Sequence, residues 1–172
     1  MALFPANKRL LHVALLYLLV NSTGCHLKLS PEELAAAAAQ CKQQTHYRDG
    51  FYILFTGLSA SQLKAAVHIS ITDTAGQTGN AKADTLHRII MADSSMAGEL
   101  KVDAEFDMHS GMVITLDNRP FTFTHFTTAP KIGVTGMGKE TIAGCYLDSA
   151  SIDGHWQKYS GSFTINIKEY TP

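Results

Sequence analysis

The chain has 172 residues, of which 14 are Lys or Arg and 15 are Asp or Glu. That balance excludes a polybasic nucleic-acid binder, and a chain of this length fits one compact domain. With 45% hydrophobic and 17% charged residues the composition is that of a globular protein, and only one apolar run is long enough to need explaining as a targeting or membrane segment.

That run is at the start. Lys8 and Arg9 lead into the apolar stretch 10–20, which gives way to Asn21, Ser22, Thr23, Gly24 and Cys25. A basic beginning, a short apolar stretch and small residues before a break form the pattern of an export signal, here residues 1–24. The stretch falls short of the roughly 20 apolar residues that a spanning helix needs.

The residues before Cys25 resemble the lipobox of bacterial lipoprotein precursors, in which small residues precede a cysteine that is diacylated and becomes the mature N-terminus. Thr23 and Gly24 fit that pattern. Ser22 stands where the family has an aliphatic residue, so ordinary signal-peptidase cleavage after Gly24 remains the alternative. The resemblance covers only the leader and implies a lipid, palmitate included, on Cys25, and with it a membrane anchor in a bacterial cell envelope. In enterobacterial lipoproteins an Asp after the cysteine marks inner-membrane retention, so His26 implies the outer membrane, facing the periplasm. The cysteines, Cys25, Cys41 and Cys145, point the same way. An odd thiol is awkward in an oxidising compartment, and acylating Cys25 leaves Cys41 and Cys145 to form one disulfide bond. Losing the leader removes Lys8 and Arg9 and no acid, which turns 14 basic against 15 acidic residues into 12 against 15. A polybasic membrane patch is thereby excluded, and the lipid is left as the main membrane contact.

After a short tether at 25–29, a domain over 30–172 begins with a helix expected within 27–45. Ser30 and Glu33 form a capping box around Pro31, whose missing N–H had no helical partner to lose. The alanine run that follows favours helix but offers little large apolar surface, so this helix has to lean on something else. From Tyr47 the period changes to two. The clearest alternation is 98–108, with Leu100, Val102, Ala104, Phe106 and Met108 on one side and Lys101, Asp103, Glu105 and Asp107 on the other. Further strands are expected at 51–56, 67–72, 86–92, 112–116, 121–126, 131–135, 141–147 and 162–170. Turn signals lie at 75–80, 110–111, 117–120 and 153–154. Many short one-sided strands without intervening helices predict a mainly β fold, an antiparallel β-sandwich preceded by one N-terminal α-helix. The alternative is α+β, because 57–62 has the residues to start a second short helix.

Signals for chemistry are few. Gly133 to Glu140 nearly spells a P-loop, but Glu140 replaces the hydroxyl that would hold Mg²⁺ and no helix pattern follows, so no nucleotide is expected. Met108, His109 and Met112 combine thioether and imidazole, soft ligands that suit copper, and give periplasmic metal binding as one alternative function. No Gly-x-Ser-x-Gly elbow is present, so an envelope hydrolase is a second alternative without a named nucleophile, and no catalytic residue or cofactor is assigned. Trp156, with His155 and Tyr159, is the candidate binding patch for a protein partner. The expected function is therefore non-catalytic: a lipid-anchored envelope protein that binds another protein or supports an envelope or secretion assembly.

Overall fold

The computed structural model describes residues 28–73, 76–90, 96–136 and 138–169. The export signal and Cys25 lie outside the described residues. Among those described, one helix, α1 (Pro31–Lys42), precedes the strands β1 (His46–Tyr47), β2 (Phe51–Thr56), β3 (Ala66–Thr72), β4 (Thr78–Thr85), β5 (His87–Ile90), β6 (Met96–Val102), β7 (Phe106–Asp107), β8 (Gly111–Leu116), β9 (Arg119–Val134), β10 (Glu140–Ile152), β11 (His155–Lys158) and β12 (Phe163–Asn166). A 3₁₀ turn, Gln62–Lys64, is all that forms of the second helix.

The chain is mainly β and makes the expected sandwich. A six-stranded sheet, in the order β11-β10-β9-β8-β3-β4, packs on a four-stranded sheet, in the order β12-β2-β6-β5. Alternation drives this: Phe51, Ile53 and Phe55 of β2 and Met112, Ile114 and Leu116 of β8 are buried, and they join one core cluster that draws on both sheets. Phe51 is its aromatic hub, with the rings of Phe106, Phe123, Phe126 and Phe163 all centred within 6.4 Å of it. Gly98 has no room for a side chain, since a Cβ there would lie 2.9 Å from Leu86 Cδ1. Two hairpins turn on left-handed residue pairs, Asp117-Asn118 and Asp153-Gly154, whose positive φ angles match the twist of the flanking strands. The second is tied to β9, because Thr122 N–H donates to Asp153 Oδ1 at 2.7 Å and Asp153 N–H donates to Thr122 O at 2.8 Å.

Several features differ from the sequence expectation. No strand was expected where β11 forms, the strand expected at 162–170 ends at Asn166, and the one expected at 141–147 runs on to Ile152. The run 98–108 keeps its burial pattern, but its ladder stops after Val102, and Phe106–Asp107 pairs with β1 instead. The strands expected at 121–126 and 131–135 are one strand, β9, bent by a bulge. The turn expected at 75–80 gives way at Thr78 to strand β4, which is paired along β3. The antiparallel pattern has one exception, β12, which runs parallel to β2. The chain crosses from one sheet to the other between β11 and β12, so no hairpin dictates the direction of that pairing.

β9 and β10 outrun the rest of their sheet. β8 pairs with β9 only as far as Phe123, and beyond it the two strands continue as an arm. Phe126 and Leu147 still pack into the main core, and further out α1 lies along the inner side of the arm. Leu34, Ala37, Ala38 and Cys41 recur at helical spacing, and Ala37 and Cys41 are buried. Cys41 is disulfide-bonded to Cys145 of β10, with the two Cα atoms 5.6 Å apart. Thr128 Oγ1 donates to Cys41 O at 2.7 Å, and at the other end Leu29 N–H donates to Glu140 Oε2 at 3.0 Å. Gly144 sits in the bulge beside the disulfide with φ +121°, a conformation that glycine adopts without strain.

Candidate functional site

The outer side of the six-stranded sheet carries a lateral row of small polar residues. Because paired residues share a face, Trp156, Ser151 and Thr124 line up across β11, β10 and β9, and Thr72 and Thr78 continue the row on β3 and β4. Gly111 fills the gap on β8, where an added Cβ would lie 4.0 Å from Thr124 Cγ2. The hydroxyls of Thr72 and Thr78 meet at 3.2 Å, and in the neighbouring row those of Thr127 and Ser149 meet at 2.6 Å. Trp156 ends the row on the edge strand with 63% of its surface exposed.

His125 stands beside Trp156, with the ring centroids 6.2 Å apart. It occupies the β9 bulge, where the register jumps from Thr124 opposite Ser151 to Thr127 opposite Ser149. Its φ is +53°, a left-handed conformation uncommon for a residue with a side chain, and its Nδ1 lies 2.9 Å from Thr124 Oγ1. The bulge turns the imidazole outward while Phe126 returns to the core.

The three residues singled out around Trp156 do not converge. His155 is exposed and pairs with Ile152, on the inner register of the sheet. Tyr159 folds beneath the edge, its ring 5.1 Å from that of Phe163, and its hydroxyl accepts a hydrogen bond from Tyr52 N–H at 3.3 Å. Burial pushes the Tyr159 phenol above its ordinary range. Trp156 is instead joined by His125, which sequence reading missed. The available signal was the alternation of Thr122 and Thr124 with buried phenylalanines, and a bulge then displaced His125 from the pattern.

The methionine–histidine trio is also divided. Met108 and Met112 are buried in the core, whereas His109 is exposed on the turn between them, its N–H donating to Asp107 Oδ1 at 2.7 Å. Two thioethers packed against apolar neighbours and an imidazole facing solvent do not present a common ligand point. Among the described residues no group of three or more His, Cys, Asp or Glu side chains is placed to hold a metal ion. The glycine-rich stretch is the loop of the β9–β10 hairpin, closed by Thr135 N–H donating to Lys139 O at 2.9 Å. His46 and His125 pair with the adjacent Thr45 and Thr124, an arrangement that orients each ring.

The end of the arm forms a second surface. Ile132 and Ile142 pair across it and are 48% and 38% exposed, and Val134, opposite Glu140, is 70% exposed. An open, polar hollow of about 490 Å³ lies elsewhere, lined by Gln43, Gln44, Thr45, His46, Arg48 and Asp49. Arg48 there already pairs with Glu105 at 2.8 Å.

No family model, curated protein or solved structure matches this chain. Among the described residues no helix is long and apolar enough to cross a membrane.

Proposed function

We propose that this chain is a lipid-anchored protein of a bacterial envelope, held by Cys25 in the outer membrane and facing the periplasm, and that it acts by binding another protein. The observation that carries the binding half is Trp156, a large aromatic left open to water at the end of a hydroxyl-bearing row and set beside a strained histidine. Exposed tryptophans supply much of the energy in protein interfaces, because they bury a large area while ordering few rotatable bonds. Strained backbone at a surface residue is a pointer to function, since the fold must offset its cost elsewhere. The anchoring half is supported by the lipobox-like leader and by the disulfide, which uses Cys41 and Cys145 and suits an oxidising compartment.

A photo-cross-linking residue in place of Trp156 tests the binding half. Irradiated in intact envelopes, it is expected to give a discrete higher-mass adduct with a protein other than itself. The same residue in place of the exposed Lys64 is expected to give none. Equal labelling from the two positions, or none from position 156, contradicts the assignment of this face.

A further inference from the structure

We propose that the end of the β9–β10 arm enters the interfacial layer of the membrane that holds the lipid on Cys25. This deepens the anchored reading above and rests on it. The first observation is chemical. Ile132, Val134 and Ile142 form an apolar cluster at an exposed hairpin end, on the side shared with α1. The alanine-rich helix is too thin-skinned to cover them, although it lies along the same side from Glu140 to Cys145.

The second observation is reach. Leu29 N–H is bound to Glu140, which begins β10 beside Val134. Cys25 is four residues earlier in the chain, and four residues span at most about 14 Å when fully extended. The backbone of Cys25 therefore cannot stand further than that from the Leu29 N–H bound to Glu140. The fold thus sets an exposed apolar corner within reach of the bilayer surface.

Charge neither drives nor forbids the contact. Lys28, Lys131 and Lys139 are exposed around this corner, against Glu32, Glu33 and Glu140. Two of the carboxylates already accept backbone hydrogen bonds, Glu33 from Ser30 N–H and Glu140 from Leu29 N–H. Insertion of the apolar side chains leaves the lysines at headgroup level, where ammonium groups stay hydrated. The opposite end of β10 then faces away: Ser151, which pairs with Trp156, lies nine residues beyond Ile142, at most about 30 Å along the strand.

The test uses the acylated protein in vesicles of phosphatidylethanolamine and phosphatidylglycerol, with an environment-sensitive fluorophore on Val134→Cys. Cys41 and Cys145 are paired and Cys25 carries the lipid, so the new thiol is the reactive one. Lys64→Cys, beside the start of β3, is the reference. Nitroxide-labelled lipid is expected to quench the probe at position 134 roughly twofold or more and to leave the one at position 64 unchanged. Co-flotation with the vesicles and a probe at 134 that stays in water overturns this inference and spares the anchor. A probe at 134 that is dry yet unquenched by lipid also overturns it, since a second copy or another protein then covers the corner. Failure to float at all overturns both.

Discussion

Replacing Cys41 and Cys145 together by alanine is expected to lower the stability of the domain by about 4 kcal/mol, read as a fall in the urea midpoint. The two residues are 104 apart in sequence, and chain-entropy arguments put the constraint on an unfolded loop of that order at about 4.7 kcal/mol, with measured values often smaller. The location adds a local effect. Apart from Leu34, α1 brings only Ala37, Ala38 and Cys41 to its packing side, so few apolar contacts hold it on the arm once the covalent link is gone. The remaining ties are Thr128 to the Cys41 carbonyl and Glu140 to the Leu29 N–H. Amides of α1 are therefore expected to lose hydrogen-exchange protection before those of β2 or β8 in the variant. An unchanged midpoint would show that the helix and arm are held by packing alone.

Phe106→Ala is expected to destabilise by roughly 3–5 kcal/mol, as large-to-small changes in a well-packed core do. The ring of Phe106 lies 4.7 Å from that of Phe126 and about 6 Å from those of Tyr47 and Phe51, and its loss opens a cavity where the short β1–β7 ladder meets the main core. Glu105→Ala is the comparison. Its carboxylate pairs with Arg48 at 2.8 Å, but both side chains are more than half exposed, and such pairs contribute about 0–1 kcal/mol. Equal midpoints for the two variants would contradict the half-buried reading of residues 98–108.

The alternation over 98–108 shows both the reach of sequence reasoning and its limit. Leu100, Val102, Phe106 and Met108 are all buried, so the side each residue faces was legible. The break in the ladder was not, because backbone pairing beyond Val102 depends on where β1 arrives. β2 was legible to the residue, since a short continuous apolar and aromatic run, 51–56, is bounded by Gly50 and Gly57. β9 was not, because the bulge at His125 shifts the phase of the alternation, and a phase shift reads as the end of a strand. β4 carries no apolar pattern, and its strand state comes from pairing with β3.

The candidate site divides in the same way. Trp156 stood out as a lone aromatic after an Asp-Gly turn, a place that suits a core plug as well as a binding residue, and it is the register across that turn, Trp156 opposite Ser151, that sets it on the outer side. The same register sends Tyr159 inward, which separates it from Trp156. His125, by contrast, reaches the tryptophan only through the bulge. The hydroxyl row depends on the lateral order of six strands, which alternation along one strand does not encode. The disulfide followed from cysteine arithmetic, but that α1 would lie over the arm rather than over the sheet followed from nothing local.

Metabolic labelling with palmitate, followed by size analysis of the mature chain, tests the central claim that Cys25 carries a lipid anchor. The unaltered protein is expected to incorporate label and to run at the size of a chain beginning at Cys25, whereas Cys25→Ser is expected to remain an unlabelled precursor. Normal processing of Cys25→Ser to the mature size, with no label in either form, would contradict the anchored reading.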